Sequence, residues 1–215
     1  MMSRLTRKEK QAHTRACLMN SAAKVFALRG LQQASIDEVA EDAGFTKGAF
    51  YANFKSKEEL FLAMLDERFA KRIADIEEVI AGEGTAAEKA QRAGDQFVRM
   101  LRADAEWERL FFEFSAYAAR DEEFREELVT RYRAMRGQIG HALSEHADGD
   151  GKEKGTLSFD EVALLICIMG NGFALEKLLE GDAVPDELYG TLLTIFFAGL
   201  EALRDQHAEV AGAAA

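Results

Sequence analysis

Proline is nearly missing from this chain. Pro185 is the only one in 215 residues, so almost nothing stops long helices by ring clash or by loss of an N–H donor. Runs of β-branched residues are also scarce, and together the two shortages point to an all-α structure. Cysteine is limited to Cys17 and Cys167, too few for a disulfide framework. Each sits in an apolar helical pattern and reads as a buried thiol in a reducing compartment. No uninterrupted apolar run reaches the ~20 residues of a membrane helix, and the basic N-terminus lacks the apolar stretch of a secretory signal. The expectation is a cytoplasmic protein with no membrane partner. Nucleophile elbows, phosphate loops and Cys-x-x-Cys pairs are absent too, so no enzymatic activity and no cofactor or metal are expected. His141, Glu145 and His146 cluster at a helix end, too few ligands for a convincing metal site. The alternatives left open are an all-α redox or metal sensor using Cys17/Cys167 or His141/His146, or, more remotely, a helical enzyme.

What is present is a division of charge. With 48% hydrophobic and 30% charged residues the composition is that of a globular protein, net −11. Residues 1–57 nevertheless carry +5, and the rest carry −16. A basic head on an acidic body suggests an anionic partner met at one end. Arg4, Arg7, Lys8 and Lys10 read as a basic arm ahead of the first helix, either a solubilising tail or a source of phosphate contacts.

The segment from Ser35 to Lys57, SIDEVAEDAGFTKGAFYANFKSK, is the most informative. Ser35 with Glu38 forms a capping box, and Ile36, Val39, Ala40 and Ala43 follow at helical spacing. Gly44 suits the stop, Phe45 anchors a turn, and Thr46 can cap a second short helix over Lys47–Asn53. Phe50 and Phe54 should face inward. Lys47, Gly48 and Ala49 fall on the first turn, where a recognition helix meets base edges in the DNA major groove. Tyr51, Lys55 and Lys57 can reach phosphates, and Asn53 can bond a phosphate or an adenine edge. With Ser35 and Thr46 these residues make up the candidate DNA surface. Ser56 with Glu59 opens the next helix.

Upstream, Ala-Ala-x-x-Phe-Ala-x-x-Gly closes a helix at Gly30. Combined with the Ala-Gly turn and with Lys-Gly-x-Phe-Tyr-x-x-Phe-x-Ser-Lys-Glu-x-Leu, the pattern from about Thr14 to Leu65 resembles the TetR (tetracycline repressor) family. Asn53 is a departure, since members commonly carry a ring there. The resemblance implies a ligand-responsive transcriptional regulator, most often a repressor that leaves a palindromic double-stranded operator when a small molecule binds.

The architecture read from the chain is a three-helix helix-turn-helix head over residues 1–57 and a six-helix body over residues 58–215. Helix four runs from Ser56 to about Ala81. Thr85 with Glu88 caps a fifth, a sixth carries Trp107 to Ala118, and a seventh follows the break at Arg120-Asp121. The Gly-rich segment Ala147–Thr156 reads as a loop. Ser158 with Glu161 caps an eighth helix, and Pro185 opens a ninth that runs to about Gln206, ahead of a frayed tail. The last two helices are apolar nearly all round and must be buried on more than one face. Leu192, Ile195, Phe196, Gly199, Leu200 and Leu203 are the expected homodimer contacts, and the resemblance implies a four-helix bundle there. The aromatic stock of the middle helices is Phe97, Trp107, Phe111, Phe114, Tyr117 and Tyr132, with Met135. Such stripes are more often plain core. The resemblance implies a cavity between the middle helices, which these residues with Asn171 and Phe173 would line for an apolar or aromatic effector.

Overall fold

The computed structural model describes residues 6–146 and 157–213, with side chains through 206. The expected loop at 147–156 lies outside the described residues. Those residues form nine α-helices and one short 3-10 turn, with no strand among them. They group into two compact units. One takes Met1–Arg68 and Glu106–Thr130, the other Phe69–Ala105 and Arg131–Ala215.

The first unit contains α1 (Arg7–Gln33), α2 (Ile36–Asp42), α3 (Lys47–Tyr51), the start of α4 (Lys57–Ala81), α6 (Ala105–Ala118) but for its first residue, and the start of α7 (Glu122–Glu145). Helix α1 begins at a Thr6–Glu9 capping box, so Arg7, Lys8 and Lys10 lie in its first turns rather than on a free arm. The cap explains the difference: Glu9 accepts from the Thr6 N–H at 2.6 Å, and Thr6 Oγ1 accepts from the Glu9 N–H at 3.2 Å. Gly30 interrupts α1 with φ 74°, a left-handed conformation that glycine adopts without strain. The freed N–H of Leu31 donates to Glu113 Oε1 at 2.6 Å. The core of this unit is aromatic. Phe61 and Phe114 stack with centroids 3.5 Å apart, Trp107 lies parallel to Phe61 at 5.6 Å, and Phe26 meets Phe114 edge-on at 5.9 Å.

The second unit holds the rest of α4, α5 (Ala86–Ala103), most of α7, α8 (Phe159–Glu180), the 3-10 turn Gly181–Ala183 and α9 (Leu188–Ala213). The capping boxes at Thr85/Glu88 and Ser158/Glu161 both form. Helix α9 continues to Ala213, beyond the expected end near Gln206. Helices α5 and α9 cross so closely that a methyl group at Gly94 would overlap the Cα of Gly190. The α8–α9 connection is tied by Asp186, which pairs with Lys177 and Arg102, both at 2.7 Å, while Lys177 Nζ also donates to the Val184 carbonyl at 2.6 Å.

Helix α8 amends one expectation. The span Phe159–Ala183, at mean hydropathy 1.7, is long and apolar enough to cross a membrane by length and composition. One face, with Ala163, Cys167, Phe173 and Ala174, is buried in the unit, while Leu164, Ile168, Leu175 and Leu179 on the other are exposed. A core helix that keeps a second apolar face scores like a membrane helix.

Candidate nucleic-acid interface and effector cavity

The α2–turn–α3 element is built from local rules. Ser35 caps α2 and is gripped by Glu38, whose carboxyl is held below its ordinary range by the Ser35 N–H and hydroxyl. Gly44 turns the chain at φ 75°, and the Phe45 N–H returns to the Ala40 carbonyl at 2.8 Å. Thr46 caps α3 by accepting from the Ala49 N–H at 3.3 Å. Phe50 and Phe54 are each 1% exposed and fix the helix to the unit beneath it. The outward side then presents Ser35, Thr46, Lys47, Gly48, Tyr51 and Lys55, all exposed, with Ala49 half-buried among them. The Lys47 ammonium pairs with Asp37 at 2.8 Å, which raises its pKa first through the hydrogen bond and then through charge. That pair is exposed and exchangeable, so Lys47 is available to a stronger anion.

Two expected contacts are placed elsewhere. Lys57 donates to the carbonyls of Leu31 at 2.7 Å and Ala34 at 2.8 Å, so its charge holds the α1–α2 connection. Asn53 turns inward. Its amide donates to the Ala49 carbonyl at 2.8 Å, and its Oδ1 is buried without a partner. The Asn53 carbonyl accepts from Arg15 Nη1 at 2.6 Å, and the Arg15 guanidinium lies 4.2 Å over the Phe54 ring. Both residues shape the surface; neither side chain is extended toward a groove.

The second unit holds a partly open cavity of about 450 Å³, within the size range of small-molecule sites. Its walls come from α4 (Arg72, Asp75, Ile76, Val79, Ile80), α5 (Ala90, Ala93, Gln96, Phe97, Met100), α7 (Ile139, Leu143) with His146 just past its end, α8 (Phe159, Val162, Ile166) and α9 (Tyr189, Leu193, Phe197, Leu200, Glu201, Arg204). Of the aromatic candidates, Phe97 lines it. Phe173 backs the wall, 6.4 Å from Phe97 and 5.2 Å from Tyr189 by ring centroids. Tyr132 and Met135 belong to the adjoining core with Ile139, Ala163 and Cys167. Asn171 is half-buried on α8 and not part of the wall.

Trp107, Phe111, Phe114 and Tyr117 lie in the first unit. Trp107, Phe111 and Phe114 are buried there, and the Tyr117 hydroxyl donates to Asp121 at 2.9 Å. Trp107 and Phe114 pack on Phe61, Phe111 meets Phe112, and Tyr117 meets Phe124. The cavity residues that the sequence did not reveal include small and aliphatic ones, such as Ala90, Ala93, Ile76 and Val79, beside Arg72, Tyr189 and Phe197. Ala90, Ala93, Phe97 and Met100 recur at spacings of three and four on α5, a helical face whose small members leave room. Tyr189 is buried, which pushes its hydroxyl up to about 12, and it points to the Ile166 carbonyl at 3.4 Å.

On α9, Leu192, Ile195, Gly199 and Leu203 are exposed and Phe196 is half-buried, whereas Leu200 turns toward the cavity. The sensor alternatives gain no support. Burial raises the Cys167 thiol, which disfavours the reactive thiolate, and Cys17 sits in the other unit. His141 pairs with Glu145 at 3.4 Å on an exposed face, and no group of three or more metal-ligating side chains gathers among the described residues.

Comparison with known proteins agrees with this geometry. Residues 18–64 match the model of bacterial regulatory proteins of the tetR family, and residues 86–200 match that of the BetI-type transcriptional repressor C-terminal region. The HTH-type transcriptional activator FasR of Mycolicibacterium smegmatis is 31% identical over 111 residues, which are 52% of this chain and 49% of that protein. The match thus spans about half the length of that curated relative. Among solved structures, Salmonella enterica GusR superposes with TM-score 0.72 at 20% identity, covering 92% of this chain and 98% of the other. The transcriptional regulator FadR from Bacillus subtilis, in complex with stearoyl-CoA, gives TM-score 0.67 at 19% identity over 83% of this chain and 95% of the other. At those identities the structures attest the fold. With one family model on the helix-turn-helix and a second covering more than half of the chain, this protein belongs to the TetR family of bacterial regulatory proteins.

Proposed function

We propose that the chain is a homodimeric, ligand-responsive regulator of transcription, acting as a repressor in the cytoplasm without enzymatic activity. The observation that carries this reading is the exposed first turn of α3. Lys47, Gly48 and Tyr51 stand outward on a helix whose other side is sealed by Phe50 and Phe54. A short helix so anchored can enter a major groove, with Lys47 reading bases and Tyr51 and Lys55 binding phosphates.

Two such helices are needed for a palindromic operator. The exposed apolar faces of α8 (Leu164, Ile168, Leu175, Leu179) and α9 (Leu188, Leu192, Ile195, Leu203) supply a surface for a second copy. Spaced by three, four, seven or eight residues, they lie along one side of each helix and fit a four-helix bundle formed with the same pair from the partner.

The cavity is the effector site in this reading, with an apolar or aromatic molecule as its occupant. Helix α4 carries both cavity residues, Arg72 to Ile80, and residues of the DNA-binding unit, Lys57 to Arg68. An effector that prefers one setting of α4 shifts the spacing of the two recognition helices and so releases DNA.

Footprinting the purified protein on genomic promoter fragments, its own first, tests the reading. Protection of a palindrome by a dimer is expected, lost when a bound apolar compound saturates the cavity. A monomer at micromolar concentration, or the absence of any protected site at low salt, counts against it.

A further inference from the structure

One wall of the cavity is not apolar, and its chemistry narrows the occupant. Arg72 projects from α4 with its guanidinium 4.5 Å over the Phe97 ring. Beside both is the bare backbone of Gly170: a methyl group there would come within 2.9 Å of Arg72 Nη2, 3.0 Å of the Tyr189 hydroxyl and 3.6 Å of Phe97 Cζ. The guanidinium is therefore packed on a ring, with a glycine beside it where any side chain would crowd it. Among the described residues no carboxylate pairs with it. Asp75 and Glu201 share the cavity wall, yet neither lies within ion-pair distance of Arg72. The other cations around the cavity differ: Lys89 donates to the Ile80 carbonyl at 2.7 Å, and Arg204 is exposed at the rim, 4.0 Å from Asp205.

A half-buried charge without a counter-ion is costly, and cation–π contact offsets only part of that cost. A planar guanidinium held by stacking keeps its N–H edge free for a bidentate anion. Around it Ile76, Val79, Met100, Ile139, Val162 and Leu193 offer aliphatic surface. Resting on the reading of this cavity as the effector site, we infer that its ligand is an apolar molecule with one anionic oxygen group, a carboxylate or a phosphate, and that Arg72 is its counter-ion.

Calorimetric titration of the full chain with decanoate, decyl phosphate, 1-decanol and decylamine tests this. At least one of the two anions should bind ten times or more tighter than decanol, with decylamine weakest; the tighter anion identifies the head group. In Arg72→Met, which keeps an apolar stem against Phe97, the anion should lose that advantage while decanol stays within threefold of wild type. Arg72→Lys, which keeps the charge without the fork, should retain part of the preference. Decanol binding as tightly as both anions to wild type overturns the inference, as does an anion preference that survives in Arg72→Met. If decanol binds and the anions have no advantage, the cavity reading stands and the counter-ion role alone falls. If none of the four binds, both fall.

Discussion

The two units are made of similar helical material and solve packing in opposite ways. In the first, large rings fill the interior: Phe26, Phe61 and Phe114 are at most 1% exposed, and Phe61 lies stacked between Trp107 and Phe114. In the second, Ala90, Ala93, Gly94, Gly170 and Gly190 bring helix backbones close or leave gaps, and a cavity of about 450 Å³ remains. A solid interior suits the part that must present a fixed surface. A hollow one suits the part proposed to take a ligand. Aromatic content alone does not mark the ligand site, because large rings are as able to abolish space as to line it.

The comparison can be broken most sharply at Phe114. Phe114→Ala should cost ~3–5 kcal/mol, since the stacked neighbours cannot collapse to fill the void, and urea unfolding measures it. Phe197→Ala, at the cavity wall, should cost clearly less, because it enlarges a space that already exists. Equal losses would erase the distinction between the units. Next in size is Gly94→Ala. The added methyl meets Gly190 backbone rather than a flexible side chain, so a loss of about 1–3 kcal/mol is expected. Thermal unfolding checks this, and an unchanged Tm would show that the α5–α9 crossing can open.

Within the first unit, Lys57 and Lys47 separate framework from surface. Lys57→Met leaves the Leu31 and Ala34 carbonyls without their donor and should cost about 1–3 kcal/mol. Lys47→Ala loses only an exposed pair and should change stability by less than ~0.5 kcal/mol. A Lys57→Met protein with wild-type stability would restore that residue to the candidate phosphate contacts.

The smallest effect concerns pH. The Asp186 carboxyl is held below its ordinary value by hydrogen bonds from Lys177 and then Arg102. A depressed folded value means that its contribution is present above the ordinary carboxylate range and fades as pH falls through the folded value. The Tm gap between wild type and Asp186→Asn should therefore narrow as the solution is acidified below about pH 4, near the unperturbed Asp value. A gap that is flat with pH would remove the α8–α9 tie from the account.

The legible parts of the sequence were those governed by neighbours in the chain. Ser35, Gly44, Thr46, Thr85 and Ser158 each set a boundary through bonds within a few residues, and the structure places caps or turns there. Thr6 with Glu9 carries the same signal, so the start of α1 was equally readable. The cavity was not, because emptiness depends on which faces of five helices meet. Arg72 looks like any solvated cation until Phe97 and Gly170 are brought to it. Nor does the sequence show that Lys57, expected at a phosphate, donates to the carbonyls of Leu31 and Ala34. The expected division at residue 57 follows chain order, whereas Phe114 of α6 meets Phe26 of α1 and Phe124 of α7 meets Phe61 and Phe114, so that α6 and the start of α7 share a unit with residues 1–57.

The central claim is that the outward side of α3 in the first unit reads DNA. The most direct measurement is the affinity of wild type and of Lys47→Ala/Tyr51→Ala for the footprinted fragment, by fluorescence anisotropy across a salt series. The account predicts that wild-type affinity falls steeply with salt, and that the double variant binds at least tenfold more weakly with a shallower salt slope and an unchanged Tm. A double variant that binds as tightly as wild type, with the same salt slope, would contradict it.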